Sequence, residues 1–182
     1  AEFHRLKAKY AGQIELYIGL EIDYLNEESN PSVVRFRELP LDYRIGSVHL
    51  LYDDKGEIVD VDVTADKFRR LVDKHFNGDL VRVVHLYYDR LMRMVELGGF
   101  DIVGHADKMH YNASVYHPGL LDEPWYDALI QEYFDAIARK GYIVQNLIWN
   151  WVLSILMNAT SLYCLKRESV YRLIVIPTTR SV

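Results

Sequence analysis

The chain predicts an α/β fold with parallel strands, arranged as an open layer or a barrel. Three observations carry that expectation. Strand patterns and helix patterns take turns along the first 144 residues. The helical stretches close on Gly12, on Gly98-Gly99 and on Gly141, where a left-handed residue ends a helix without penalty. The stretch from Gln13 to Tyr24 alternates strictly, with Ile14, Leu16, Ile18, Leu20 and Ile22 on one face and Glu15, Tyr17, Gly19, Glu21 and Asp23 on the other.

In order, the chain opens with a helix end (1–12) and the alternating strand follows. Asn30-Pro31 can start a short helix reaching Glu38, with the proline at its first position. Tyr43 to Tyr52 reads as a second strand, and residues 53–61 as a turn with a short extended piece. Thr64 can cap a helix to Phe76, and Asp79 to Leu97 forms a longer one. Asp101 to His105 is a third strand, residues 107–119 a loop, Asp122 to Lys140 an amphipathic helix, and Tyr142 to Val144 the start of a fourth strand.

Composition narrows the function. A chain of 182 residues, half of them hydrophobic and 26% charged, suits one domain with a sizeable core. Its net charge of -5 disfavours a nucleic-acid backbone but leaves a small anionic substrate open if local cations or metals bind it. The lone Cys164 excludes an internal disulfide and fits a reducing cytoplasm. No apolar run reaches spanning length and no signal peptide opens the chain, so no membrane partner is expected. Ala1 in place of a methionine is expected of a processed product or a fragment.

Three polar residues fall late in strands, where α/β sheets and barrels place their sites. They are Glu21, His49 after Gly46-Ser47-Val48, and His105 after Gly104. Their oxygen and nitrogen atoms suit zinc, iron or manganese. A metal cluster holds a phosphate ester and makes hydroxide at neutral pH, which removes the need for a side-chain nucleophile. Taken singly, Glu21 reads equally as a solvated strand carboxylate, His49 as a satisfied core histidine and His105 as a turn cap. His4, His75, His85, His110 and His117 read as structural or exposed. Lys108, in the expected loop, can meet an anionic group, and Cys164 reads as a buried thiol.

The segments YIGLEIDYL, YRIGSVHLL and FDIVGHADKMHYN, in this order and spacing, resemble the histidinol-phosphate phosphatases of the polymerase-and-histidinol-phosphatase (PHP) superfamily. The resemblance covers residues 1–144. It implies a distorted (β/α) barrel, a cluster of divalent metals at the strand carboxyl ends, and hydrolysis of L-histidinol phosphate in histidine biosynthesis. It puts Glu21, His49 and His105 in metal-ligand places and assigns Lys108 nothing. A phosphoesterase acting on another substrate and a non-catalytic α/β protein are the alternatives.

Two departures shape the expectation for this chain. The family's opening His-x-His strand has no counterpart before Ala1, and its late Asp-x-His motif is missing from the tail, residues 145–182. The barrel is therefore expected to be incomplete, with little or no activity from these residues alone. The tail has no glycine and no clean period. Shifting its reading frame after Val144 forces Glu-Leu-Gly from residues 149–152 and another Glu from Met157-Asn158, and permits an Asp-x-His further on. A frame-shifted end of the same domain is the expectation for 145–182.

Overall fold

A computed structural model describes residues 2–106 and 108–145, together with the backbone of 173–175. It is an α/β structure on a parallel sheet, as expected of an incomplete β/α barrel. The elements are α1 (Glu2–Lys9), β1 (Leu16–Asp23), α2 (Val34–Arg37), β2 (Tyr43–Ser47), β3 (Leu50–Tyr52), β4 (Ile58–Asp60), α3 (Ala65–Phe76) and α4 (Leu80–Leu97). They continue with β5 (Ile102–Val103), α5 (Lys108–Tyr116), a 3-10 turn (Pro118–Asp122), α6 (Pro124–Lys140), β6 (Ile143–Val144) and β7 (Leu173–Val175). The sheet runs β6-β5-β2-β1-β7, every neighbour parallel, while β3 and β4 form a separate antiparallel hairpin.

Helices and sheet meet in one apolar core. Leu91, Met94 and Val95 on α4 and Ile130, Tyr133 and Ile137 on α6 recur at helical spacing, and all six are buried. Tyr88 sits at their junction, edge-on to Tyr87 at 5.4 Å and to Tyr133 at 5.5 Å between ring centroids. Phe68, Val72 and Phe76 bring α3 into the same cluster.

Four local expectations are corrected. The helix expected from Pro31 begins only at Val34, because Asn30 spends its side chain on a turn. The Asn30 carboxamide accepts from the Ser32 amide at 2.9 Å and donates to the carbonyls of Asn26 and Glu27. The second strand is broken: β2 stops at Ser47 and β3 starts at Leu50, with Val48 and His49 between them. Residues 108–116 are helical rather than a loop, and bury Met109, Asn112 and Ala113. Thr64 does occupy the position before α3, but its side chain makes no capping hydrogen bond. The expected frame-shifted segment lies outside the described residues, apart from Gln145 and the backbone of 173–175.

Asp79 does cap α4: its carboxylate accepts from the Arg82 amide at 2.9 Å. Replacing it by alanine leaves that amide without its partner, and is expected to cost ~1 kcal/mol. Urea denaturation of Asp79→Ala measures this; an unchanged midpoint would contradict the cap.

Candidate metal centre

Parallel pairing sets the heights of the polar residues. Glu21 lies level with Ile45, and Ile45 level with Ile102, so three neighbouring strands end together. Asp23 is level with Ser47. Beyond that level the chain leaves β2 through Val48 to His49, and leaves β5 through Gly104 to His105.

Glu21, His49 and His105 come together. The Glu21 Oε1 lies 3.5 Å from His49 Nε2 and 3.4 Å from His105 Nε2. The two imidazoles are 5.3 Å apart between centroids. The same Oε1 accepts a 2.6 Å hydrogen bond from the Ser47 hydroxyl. Close backbone approach makes this possible. A Cβ on Gly104 would fall 2.2 Å from the Ser47 Oγ, so a side chain there would drive into the residue that holds Glu21. His105 itself takes φ +49°, a left-handed conformation that is uncommon for a residue with a side chain.

Two carboxylates support the three residues. Asp23 Oδ1 lies 2.6 Å from His49 Nδ1, which places the proton on that nitrogen and turns the Nε2 lone pair toward Glu21 and His105. Asp62 Oδ2 approaches His49 Nε2 at 3.9 Å, and its other oxygen holds the ammonium of Lys108. Lys108, the first residue of α5, is thereby tied to the rim of the cluster. The hairpin β3–β4 connects the two sides: His49 enters it, Asp62 follows it, and the Val61 amide donates to the His49 carbonyl at 2.8 Å.

The electrostatics favour positive charge here. The hydrogen bond from His105 holds the Glu21 carboxyl down at about 2 against the opposing effect of burial, with the Ser47 hydroxyl and His49 adding to the shift. Burial pulls the His49 imidazole down, but the hydrogen bond to Asp23 and the charges of Asp23, Glu21 and Asp62 outweigh it and raise its pKa. Burial likewise pushes Asp62 up, and Lys108 more than reverses this.

A divalent cation fits these residues. His49 Nε2 is buried with no hydrogen-bond partner, a costly state for a polar nitrogen unless something else meets its lone pair. That nitrogen, Glu21 and His105 can each offer one ligand atom, all within 4.8 Å of one another. A metal between them would use the lone pair and neutralise the carboxylate, with Asp23 acting as the orienting partner of a ligating histidine.

The other histidines stand elsewhere. His85 stacks on Trp125 at 4.8 Å, His110 lies 3.3 Å from the Tyr126 hydroxyl through Nδ1, and His75 meets Asp53. Asp23, Ser47 and Asp62 were not singled out in the sequence. The first was visible, two residues beyond Glu21 on the same strand face; Asp62 gave no local signal, because a hairpin brings it back.

Two outcomes follow. Asp23→Asn removes the orienting charge and is expected to weaken metal binding by roughly 10- to 100-fold, read by calorimetry with Mn2+; unchanged affinity would contradict the role of Asp23. In chelator, Glu21 has a depressed folded pKa, so its contribution to stability is complete above 4.5 and lost as pH falls toward 2. The wild-type and Glu21→Gln urea midpoints should therefore converge across that window, whereas parallel curves would contradict the shift.

No curated protein matched the chain in a sequence comparison. A family model did: the PHP domain, over residues 2–145. PHP domain proteins are generally metal-dependent phosphoesterases, and the match takes in every strand of the sheet except β7, together with every residue of the cluster. The chain belongs to the PHP domain family.

Proposed function

We propose that this domain hydrolyses a phosphate monoester, most specifically L-histidinol phosphate, with Glu21, His49 and His105 as metal ligands. The observation that carries the reading is the meeting of one carboxylate oxygen and two imidazole nitrogens at the ends of three adjacent parallel strands. Zinc, iron and manganese all suit this donor set. Bound cations would supply Lewis acidity to the phosphoryl oxygens and lower the pKa of water.

The chain's own groups do the rest. Asp23 keeps the proton on His49 Nδ1, so that Nε2 stays a donor of its lone pair. Ser47 fixes the rotamer of Glu21 through its hydroxyl. Lys108, held at the rim by Asp62, would exchange that carboxylate for a phosphate oxygen. The histidinol phosphate assignment rests on the ordered likeness of the three strand segments to that group of phosphatases. A role in histidine biosynthesis and a cytoplasmic setting go with it; the single cysteine is in keeping with the latter. Among the described residues, no helix is long and apolar enough to cross a membrane.

The test uses the 182-residue chain loaded with Mn2+ at high protein concentration, because turnover from it is expected to be low. Release of phosphate from histidinol phosphate should exceed that from a panel of other phosphate esters. It should vanish with chelator and in Glu21→Ala, His49→Ala and His105→Ala. Equal turnover across the panel points to a phosphoesterase with another substrate. Folded protein that binds no metal overturns the enzyme reading altogether.

A further inference from the structure

We propose a second cation site, separate from the cluster at Glu21, at which Asp53, Glu57 and His75 bind one zinc ion and staple the β3–β4 hairpin to the end of α3. Asp53 and Glu57 flank the hairpin turn, and His75 is the last residue but one of α3. These residues are 22 positions apart in sequence at the Asp53–His75 contact, so the fold and not the local chain assembles them.

The three ligand atoms stand close enough together to share one ion. His75 Nδ1 lies 2.9 Å from Asp53 Oδ2 and 3.6 Å from Glu57 Oε2, and the three ligand atoms all fall within 4.8 Å of one another. Ligand atoms bound to tetrahedral zinc at ~2.0–2.1 Å stand about 3.3 Å apart. One imidazole and two carboxylates are zinc donors, and their two negative charges balance the ion.

Burial and orientation are arranged as at a built site. The side chains of His75 and Asp53 are only 9% and 5% exposed, while that of Glu57 is 59% exposed, which leaves an open side for the ion and its water. The second oxygen of Asp53 is already committed, accepting from the amides of Lys55 and Glu57 at 2.9 Å each. That leaves Oδ2 aimed at His75, as an outer partner fixes a metal-binding carboxylate. The neighbouring Asp54 is occupied by Arg82. Zinc at the hairpin tip would also steady its base, where His49 enters and Asp62 follows.

Without zinc, the same residues make a hydrogen bond between His75 and Asp53 beside a solvated Glu57, and the experiment separates the two cases. The full chain is stripped with chelator, dialysed and titrated with Zn2+ by calorimetry. In a Glu21→Ala background, which disables the other cluster, about one equivalent should still bind. It should be lost or weakened at least about tenfold by adding Glu57→Ala, and lost with His75→Gln. In that background zinc should slow hydrogen exchange at the Lys55 and Glu57 amides. Glu57 is largely exposed, so its removal leaves the fold intact, which circular dichroism checks. Zinc binding that is unchanged in folded Glu57→Ala, or that leaves exchange at the hairpin unaltered, would overturn the proposal.

Discussion

The register of β1 against β2 is the constraint on which the rest depends. With Glu21 level with Ile45 and Asp23 level with Ser47, both acids of β1 stand on the face that meets the turn after β2. A slip of one residue would turn Glu21 and Asp23 to the opposite face and present Leu20 and Ile22 in their place. The hydrophobic half of the alternation resists that slip: Leu16 and Ile22 are buried. Position and chemistry are thus tied to one apolar pattern. Leucine and isoleucine hold the register, and the register delivers the carboxylates.

Around that frame the polar groups are arranged in depth. Glu21 Oε1 receives Ser47 and faces two imidazoles, and His49 is held from behind by Asp23. Asp62 and Lys108 close the rim from the far end of the hairpin and the start of α5. Three carboxylates near two imidazoles repel one another unless positive charge joins them; the raised His49 titration is the signature of that demand, and the low Glu21 titration comes from the hydrogen bond of His105 and the nearby imidazole charge that answer it. A proton meets it in part. A divalent cation meets it while also using the unpartnered His49 Nε2.

Much of this was legible in the sequence, for reasons that differ by element. The strict alternation of residues 14–23 and the glycine-closed helices are local signals, and the strand, α4 and α6 follow them closely. Glu21, His49 and His105 stood out because each falls at or just beyond a strand's end. The break of β2 at Val48 was not legible, since the residues on both sides favour strands; the antiparallel pairing of Leu50–Tyr52 with Ile58–Asp60 decides it. Helix α5 was obscured by His110, Asn112 and Ser114. Yet Met109, Asn112, Ala113 and Tyr116 keep helical spacing, and buried Asn112 is satisfied by the carbonyls of Val61 and Val63. Asp62 and the Asp53–His75 contact depend on distant chain returning, which no window of sequence displays.

The functional reading stands on a metal centre at the ends of β1, β2 and β5. Anomalous diffraction from crystals of the chain grown with Mn2+ tests it most directly. An anomalous peak is expected at bonding distance from Glu21 Oε1, His49 Nε2 and His105 Nε2. A well-ordered crystal with these three side chains in contact and no peak between them would contradict it.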